Sequence, residues 1–174
     1  MKQTQVDKHT IAWFKIAECV SRGEKERALG VYRLLSHSFN DNAIARQLEA
    51  DIYGAFGETD HAISLYQQAM ESYIKSQRLL EAAAVGEHLV VLQPSDMSLH
   101  RKLIQLYLSL GMVAKVQAHI QVLADFFAHK KQWIEQMLDD LCFVDNKKLV
   151  QEFVSALQSH SEELHQHAVT YLKK

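Results

Sequence analysis

Gly23 and Gly57 stand 34 residues apart, and the side chains around them recur with them. Five residues after each glycine comes an alanine (Ala28, Ala62), nine after comes a tyrosine (Tyr32, Tyr66), and twelve after comes an apolar residue (Leu35, Ala69). Cys19 and Tyr53 stand four before, Ile16 and Ala50 seven before. A period of this length, with apolar spacings of three and four, is one helical hairpin written twice. Small residues fall where two helices approach closely and large ones where they interlock. A hairpin of this kind cannot bury its apolar face alone, so neighbours must stack. The predicted fold class is therefore all-α: antiparallel helical hairpins stacked as a short α-solenoid, with about 8–10 helices.

Composition is compatible with this. The 174 residues include one proline and six glycines, so long helices meet few breakers. A chain of this length buries a core without metal or disulfide. A net charge of -2 argues against a nucleic-acid-binding face. Lys130-Lys131 and Lys147-Lys148 come nearest to a basic patch, and Asp139, Asp140 and Asp145 dilute it. Cys19 and Cys142, each flanked by apolar residues, are expected as buried thiols in a reducing compartment. No opening segment resembles a secretion signal. No apolar run approaches the roughly 18–20 residues of a membrane span. A cytoplasmic protein without membrane insertion is the expectation.

Apolar periodicity predicts a first helix from Lys8 or His9 to Val20, with Ile11, Ala12, Phe14, Ile16, Ala17 and Val20 on its apolar face. Lys25 to Phe39 follows, then Ala43 to Ala55 after cap chemistry at Asn40-Asp41-Asn42. A fourth helix, capped by Thr59 or Asp60, reaches Lys75, and a fifth spans Arg78 to Leu92. Pro94 stops the fifth, Ser95-Asp96 cap a sixth from Met97 to Leu110, and Gly111 turns it into a seventh from Val113 to His129. Beyond Lys130 the repeat fades. Trp133, Ile134, Met137, Leu138 and Leu141 predict an eighth helix, broken at Asp145-Asn146. Leu149 to Leu172 predicts one helix bent near Ser159. No linker is visible, so residues 1–174 are expected as a single helical-repeat domain, with 131–174 as divergent capping helices.

The pattern resembles the tetratricopeptide repeat (TPR) over residues 9–130. With units at His9–Asn42 and Ala43–Ser76, the family's small, aromatic, glycine and alanine slots receive Ile16, Cys19, Gly23, Ala28, Tyr32 and Leu35, then Ala50, Tyr53, Gly57, Ala62, Tyr66 and Ala69. The aromatic at position 4 is missing, where Ala12 and Arg46 stand, and so is the proline at 32. Register breaks after residue 76. Gly57 and Gly111 are 54 residues apart, and Tyr73, Ala82 and Pro94 fit a frame whose first helix doubles as the second helix of the preceding unit. A further unit from Met97 fits Ile104, Tyr107, Gly111, Val116, Ile120 and Leu123. The resemblance implies a right-handed superhelix whose concave face binds a peptide or helix of a partner protein. Candidate partner-binding residues are Gln47 and Asp51 on one helix, Arg101 and Gln105 on another, each pair four apart on one face, and Trp13 if it leaves the core. The Lys, Asn and Arg cluster of chaperone-binding members is absent from these helices.

Chemistry finds little support in the sequence. His160, Glu163 and His167 share a face if the tail is helical, and Glu162 with His165 forms an E-x-x-H pattern. A four-helix metal site needs a second such pattern, and Glu81, Glu87 and Glu135 supply none. Phosphate-gripping glycine loops and zinc-ligand cysteine spacings are absent. The expectation is a non-enzymatic interaction scaffold with no catalytic residue, cofactor or metal. The alternative is an assembly subunit, such as a homodimer sealed by Phe126, Phe127, Trp133, Ile134 and Phe143 on the C-terminal helices. A helical-bundle metal-binding protein or enzyme is the third reading.

Overall fold

The computed structural model describes residues 8–39, 41–127, 131–143 and 147–173, with backbone alone for 8–10, 127 and 143. Expectations that rest on Asn40, His129, Lys130, Asp145 and Asn146, or on the side chains of Phe127 and Phe143, lie outside the described residues. The chain is all-α. Its helices are α1 (Lys8–Ser21), α2 (Lys25–Ser36), α3 (Asn42–Ala55), α4 (Thr59–Lys75), α5 (Leu79–Leu92), α6 (Met97–Ser109), α7 (Val113–Phe127), α8 (Gln132–Phe143), α9 (Lys147–His160) and α10 (Glu162–Tyr171). They fall into two compact units, Met1–Val85 and Gly86–Lys174, the division lying within α5.

The glycines act at the turns. Gly23, Gly57 and Gly111 adopt φ of +73°, +77° and +69°, the left-handed region that side chains disfavour. Each closes its helix with the same 6→1 bond: Glu24 N–H to Cys19 O at 2.8 Å, Glu58 to Tyr53 at 3.0 Å, and Met112 to Tyr107 at 2.8 Å. A fourth turn has this geometry without glycine. Gln77 takes φ of +59°, and Arg78 N–H bonds Tyr73 O at 2.9 Å. Gln77 is 20 residues after Gly57 and 34 before Gly111, so the register break is a real turn, after which the period resumes. Around it Met70, Tyr73, Ala82 and Leu89 are buried at the places that Ile16, Cys19, Ala28 and Leu35 occupy around Gly23.

In the first unit α1 packs on α2, α2 on α3 and α3 on α4. Ile16, Cys19, Ala28, Leu29, Tyr32, Leu35, Leu48 and Ile52 form one core cluster. A Cβ placed on Gly54 would meet Ala62 Cβ at 3.8 Å, the close helix approach that the small residues permit. Tyrosine hydroxyls stitch the helices. Tyr32 donates to Glu49 Oε2 at 3.0 Å, Tyr66 to Asp51 Oδ1 at 2.5 Å, and Tyr73 to Gln47 Oε1 at 3.0 Å. Burial raises the pKa of all three, and Glu49 and Asp51 reinforce this for Tyr32 and Tyr66, so the hydroxyls stay protonated as donors. Lys25 pairs with Glu58, and Arg78 with Asp41, each tying together alternate turns of the chain.

In the second unit α6 packs on α7, and α9 lies against α6, α7, α8 and α10. Trp133, Ile134, Met137, Leu138 and Leu141 are buried on α8 as the periodicity predicts, and so are Phe153 and Leu157 on α9. Several local expectations change. Position N-cap of α4 is Glu58, with no side-chain bond, so neither Thr59 nor Asp60 caps it. Ser161 leaves helical geometry at φ −156° and ψ 124°, which makes two helices of the expected bent one. Cys142 is exposed because it lies off the buried stripe of α8, while Cys19 is buried. Asp41 and Asp96 cap α3 and α6 as expected, accepting from Ala43 N–H at 2.8 Å and Ser98 N–H at 2.9 Å.

Candidate functional site

Not all of the apolar spacing on α1 is core. Ile16 and Cys19 are buried, and Ala12 and Val20 pack beside them, but Phe14 is 71% exposed and Ile11 45%. Both read as core-facing from periodicity, because a helix with two apolar faces gives the same spacings as one with a single broad face. On α2, Leu35 is buried while its neighbour Leu34 is 80% exposed. Ile11, Leu34 and Leu35 line a groove between α1 and α2. One stretch holds about 380 Å³ and is lined by Ile11, Ala12, Lys15, Val31 and Leu34 among others. The other holds about 660 Å³, shares Lys15, Val31 and Leu34, and runs on past Gly30 to Arg22 and Glu24.

Gly30 lies inside α2, where a glycine costs roughly 1 kcal/mol relative to alanine. It makes no turn, and a Cβ there would meet nothing within 4 Å. Packing within the chain therefore does not require it; its effect is to deepen the groove. The flanks are charged. Arg22 pairs with Glu18 at 2.6 Å and Arg27 with Glu24 at 2.6 Å. Lys15 on α1 and Arg33 on α2 line the same groove and make no ion pair among the described residues.

The residues singled out from sequence are placed as follows. Trp13 is 42% exposed, outside the core. Gln47 and Asp51 lie on α3, and each accepts a tyrosine hydroxyl from α4. Arg101, in the other unit, donates to Gln136 Oε1 at 2.7 Å and pairs with Asp140 of α8. Gln105 is half-buried on α6. Of the expected dimer seam, Trp133 and Ile134 are buried within the second unit and cannot face a partner, whereas Phe126 is exposed.

The histidines form a different arrangement from the one anticipated. His160 ends α9, and Glu163 and His167 belong to α10, so the three share no helix. His167 Nε2 lies 3.3 Å from Glu135, and His165 Nδ1 3.7 Å from Glu162. Among the described residues no three His, Cys, Asp or Glu side chains converge to hold a metal ion. Sequence reasoning missed the buried pair His100 and His119, whose Nδ1 atoms stand 3.0 Å apart. His100 Nε2 reaches Pro94 O at 2.9 Å. A carbonyl only accepts, so His100 Nε2 carries the proton, its Nδ1 accepts, and His119 Nδ1 donates. Glu87 lies beside the pair, accepting from Tyr107 at 2.6 Å and Lys115 at 2.8 Å; His119 Nε2 is 3.6 Å away and bonds it only when the ring is protonated.

No protein-family model matches the chain, and no curated protein matches it in sequence. Among solved structures it is similar to helical proteins of low identity. One is MamA 41-end from Desulfovibrio magneticus RS-1, at 15% identity over 89% of this chain and 96% of that one, with a TM-score of 0.34. Another is YrrB, described as a TPR protein with an unusual peptide-binding site, at 13% identity over 89% and 88% of the two chains, with a TM-score of 0.36. At such values the likeness carries no argument, and the helical-repeat reading rests on the chain's own turns and buried positions.

Proposed function

We propose that the protein is a non-enzymatic interaction scaffold that seats a peptide or helix of a partner protein. One observation carries this: Ile11 and Leu34, large apolar side chains with no core role, are exposed along a groove between α1 and α2, and Phe14 is exposed on the same helix as Ile11. Apolar surface gathered in this way marks a contact site, and a helix seated in such a groove is a recurring mode of recognition. Trp13, Gln47, Asp51, Arg101 and Gln105 stay in the proposal as partner contacts. The amide nitrogen of Gln47 and the second carboxylate oxygen of Asp51 are the groups they offer. We also keep a cytoplasmic setting without a nucleic-acid partner, supported by the free thiols and a net charge of -2. No helix among the described residues is long and apolar enough to cross a membrane. The single-domain reading of residues 1–174 is likewise kept; one cooperative urea transition supports it and two separable ones reject it.

Capture from the native cell with two double variants tests the site. Phe14→Ser with Leu34→Ser is expected to lose the bound partner while the circular-dichroism melt stays within about 0.5 kcal/mol of wild type, since exposed positions contribute little to the core. Asp51→Ala with Arg101→Ala reports on the polar contacts, its capture read against its own melt because it also strips the partners of Tyr66 and Asp140. Full capture by both variants rejects these surfaces as the site.

A further inference from the structure

We infer that the α1–α2 groove receives an acidic amphipathic helix, its apolar stripe on Ile11, Val31 and Leu34 and its flanking carboxylates on Lys15 and Arg33. This rests on the interaction reading above and adds the chemistry of the partner. From Ile11 to Arg22 the α1 wall is roughly 16 Å long at 1.5 Å per residue, which suits about three turns of a helix. Gly30 fits the same occupant. It weakens α2, a Cβ there would meet nothing within 4 Å among the described residues, and Gly30 lines the groove together with Val31 and with Lys15 of α1.

Charge selects among occupants. The acidic residues on the walls, Glu18 and Glu24, are already paired with Arg22 and Arg27. What remains among the described residues is one cation on each wall with no ion pair, Lys15 and Arg33. A helix with glutamates flanking its apolar stripe satisfies both, whereas lysines there meet like charge. A second copy docked groove to groove about a two-fold axis would bring these cations toward their own equivalents. Residues 1–7 offer only Met1 and Val6 as apolar side chains, too few to fill the groove.

The test uses the full chain and two labelled helical peptides sharing one leucine stripe, one flanked by glutamate and the other by lysine. Fluorescence anisotropy at low salt is expected to show the glutamate peptide binding at least about ten-fold tighter, with the advantage shrinking at high salt. Amide shifts on binding should centre on Lys15, Val31 and Leu34. Lys15→Glu with Arg33→Glu should erase the preference, and Gly30→Leu, which favours the helix and so still folds, should block binding. Failure of the glutamate peptide to bind overturns the inference. Equal binding of both peptides overturns the acidic preference and leaves the interaction reading standing. Both fail if neither peptide shifts the groove and the Phe14→Ser, Leu34→Ser variant captures its partner in full. A concentration-dependent dimer that Leu34→Ser dissolves assigns the groove to a second copy instead.

Discussion

Phe153→Ala is expected to lower the unfolding free energy by about 3–5 kcal/mol, the range for emptying a buried aromatic site. Phe153 is fully buried in the middle of α9, and α9 is the helix against which α6, α7, α8 and α10 all pack. The cavity would therefore open among several helices, each anchored by its own partners, which limits collapse into the void. Urea denaturation followed at 222 nm gives the change directly. Gln151→Ala, two residues away and exposed, should stay within about 0.5 kcal/mol of wild type. A loss for Phe153→Ala no larger than the control's would show that α9 is not the centre of this unit.

His100→Leu should produce the second large loss, about 1–3 kcal/mol for each group it orphans. The leucine fills the space but accepts nothing from His119 Nδ1 and donates nothing to Pro94 O. The same network makes stability depend on pH. Burial holds the His119 pKa below its ordinary 6.5, with Glu87 opposing and His100 and Lys115 assisting. The neutral ring is thus the folded form, so its contribution is complete above pH 6.5 and is lost as pH falls through the folded value. Burial by itself would raise the Glu87 carboxyl, but hydrogen bonds from Lys115 and Tyr107 outweigh it and hold the pKa below 4.5. The contribution of Glu87 survives to lower pH and is lost in turn. Melting temperature is expected to drop on acidification from pH 7.5 to about 5. In His119→Gln, whose amide still donates to His100 but does not titrate, that slope should flatten. An unchanged slope would assign the acid sensitivity elsewhere.

How much was legible varies with what each residue signals. Gly23, Gly57 and Gly111 announced their turns because few other residues accept positive φ. Gln77 carries no such mark, although Tyr73 and Ala82 kept their spacing and exposed the conflict of frames. The stripes of α8 and α9 were readable as periodicity, but the helices they bury against were not, since period says which face is apolar and nothing about what covers it. That same ambiguity placed Ile11 and Phe14 in the core. His100 and His119 come from different helices and converge only through the fold. Gly30 did leave a sign in the sequence, a glycine inside a helix with no turn to make.

The two-frame helix α4 has a bearing on how such a chain changes length. It carries Ala62, Tyr66 and Ala69 of one frame and Met70 and Tyr73 of the next, all buried along 17 residues. Excising residues 43–76 as a cassette would take away the opening helix of the frame that follows, and inserting a complete cassette at that point would strand one. The spacing in the sequence slips by a single helix here, so the gain or loss of whole 34-residue modules, the ordinary currency of growth in repetitive chains, would cut through the buried stripe of α4.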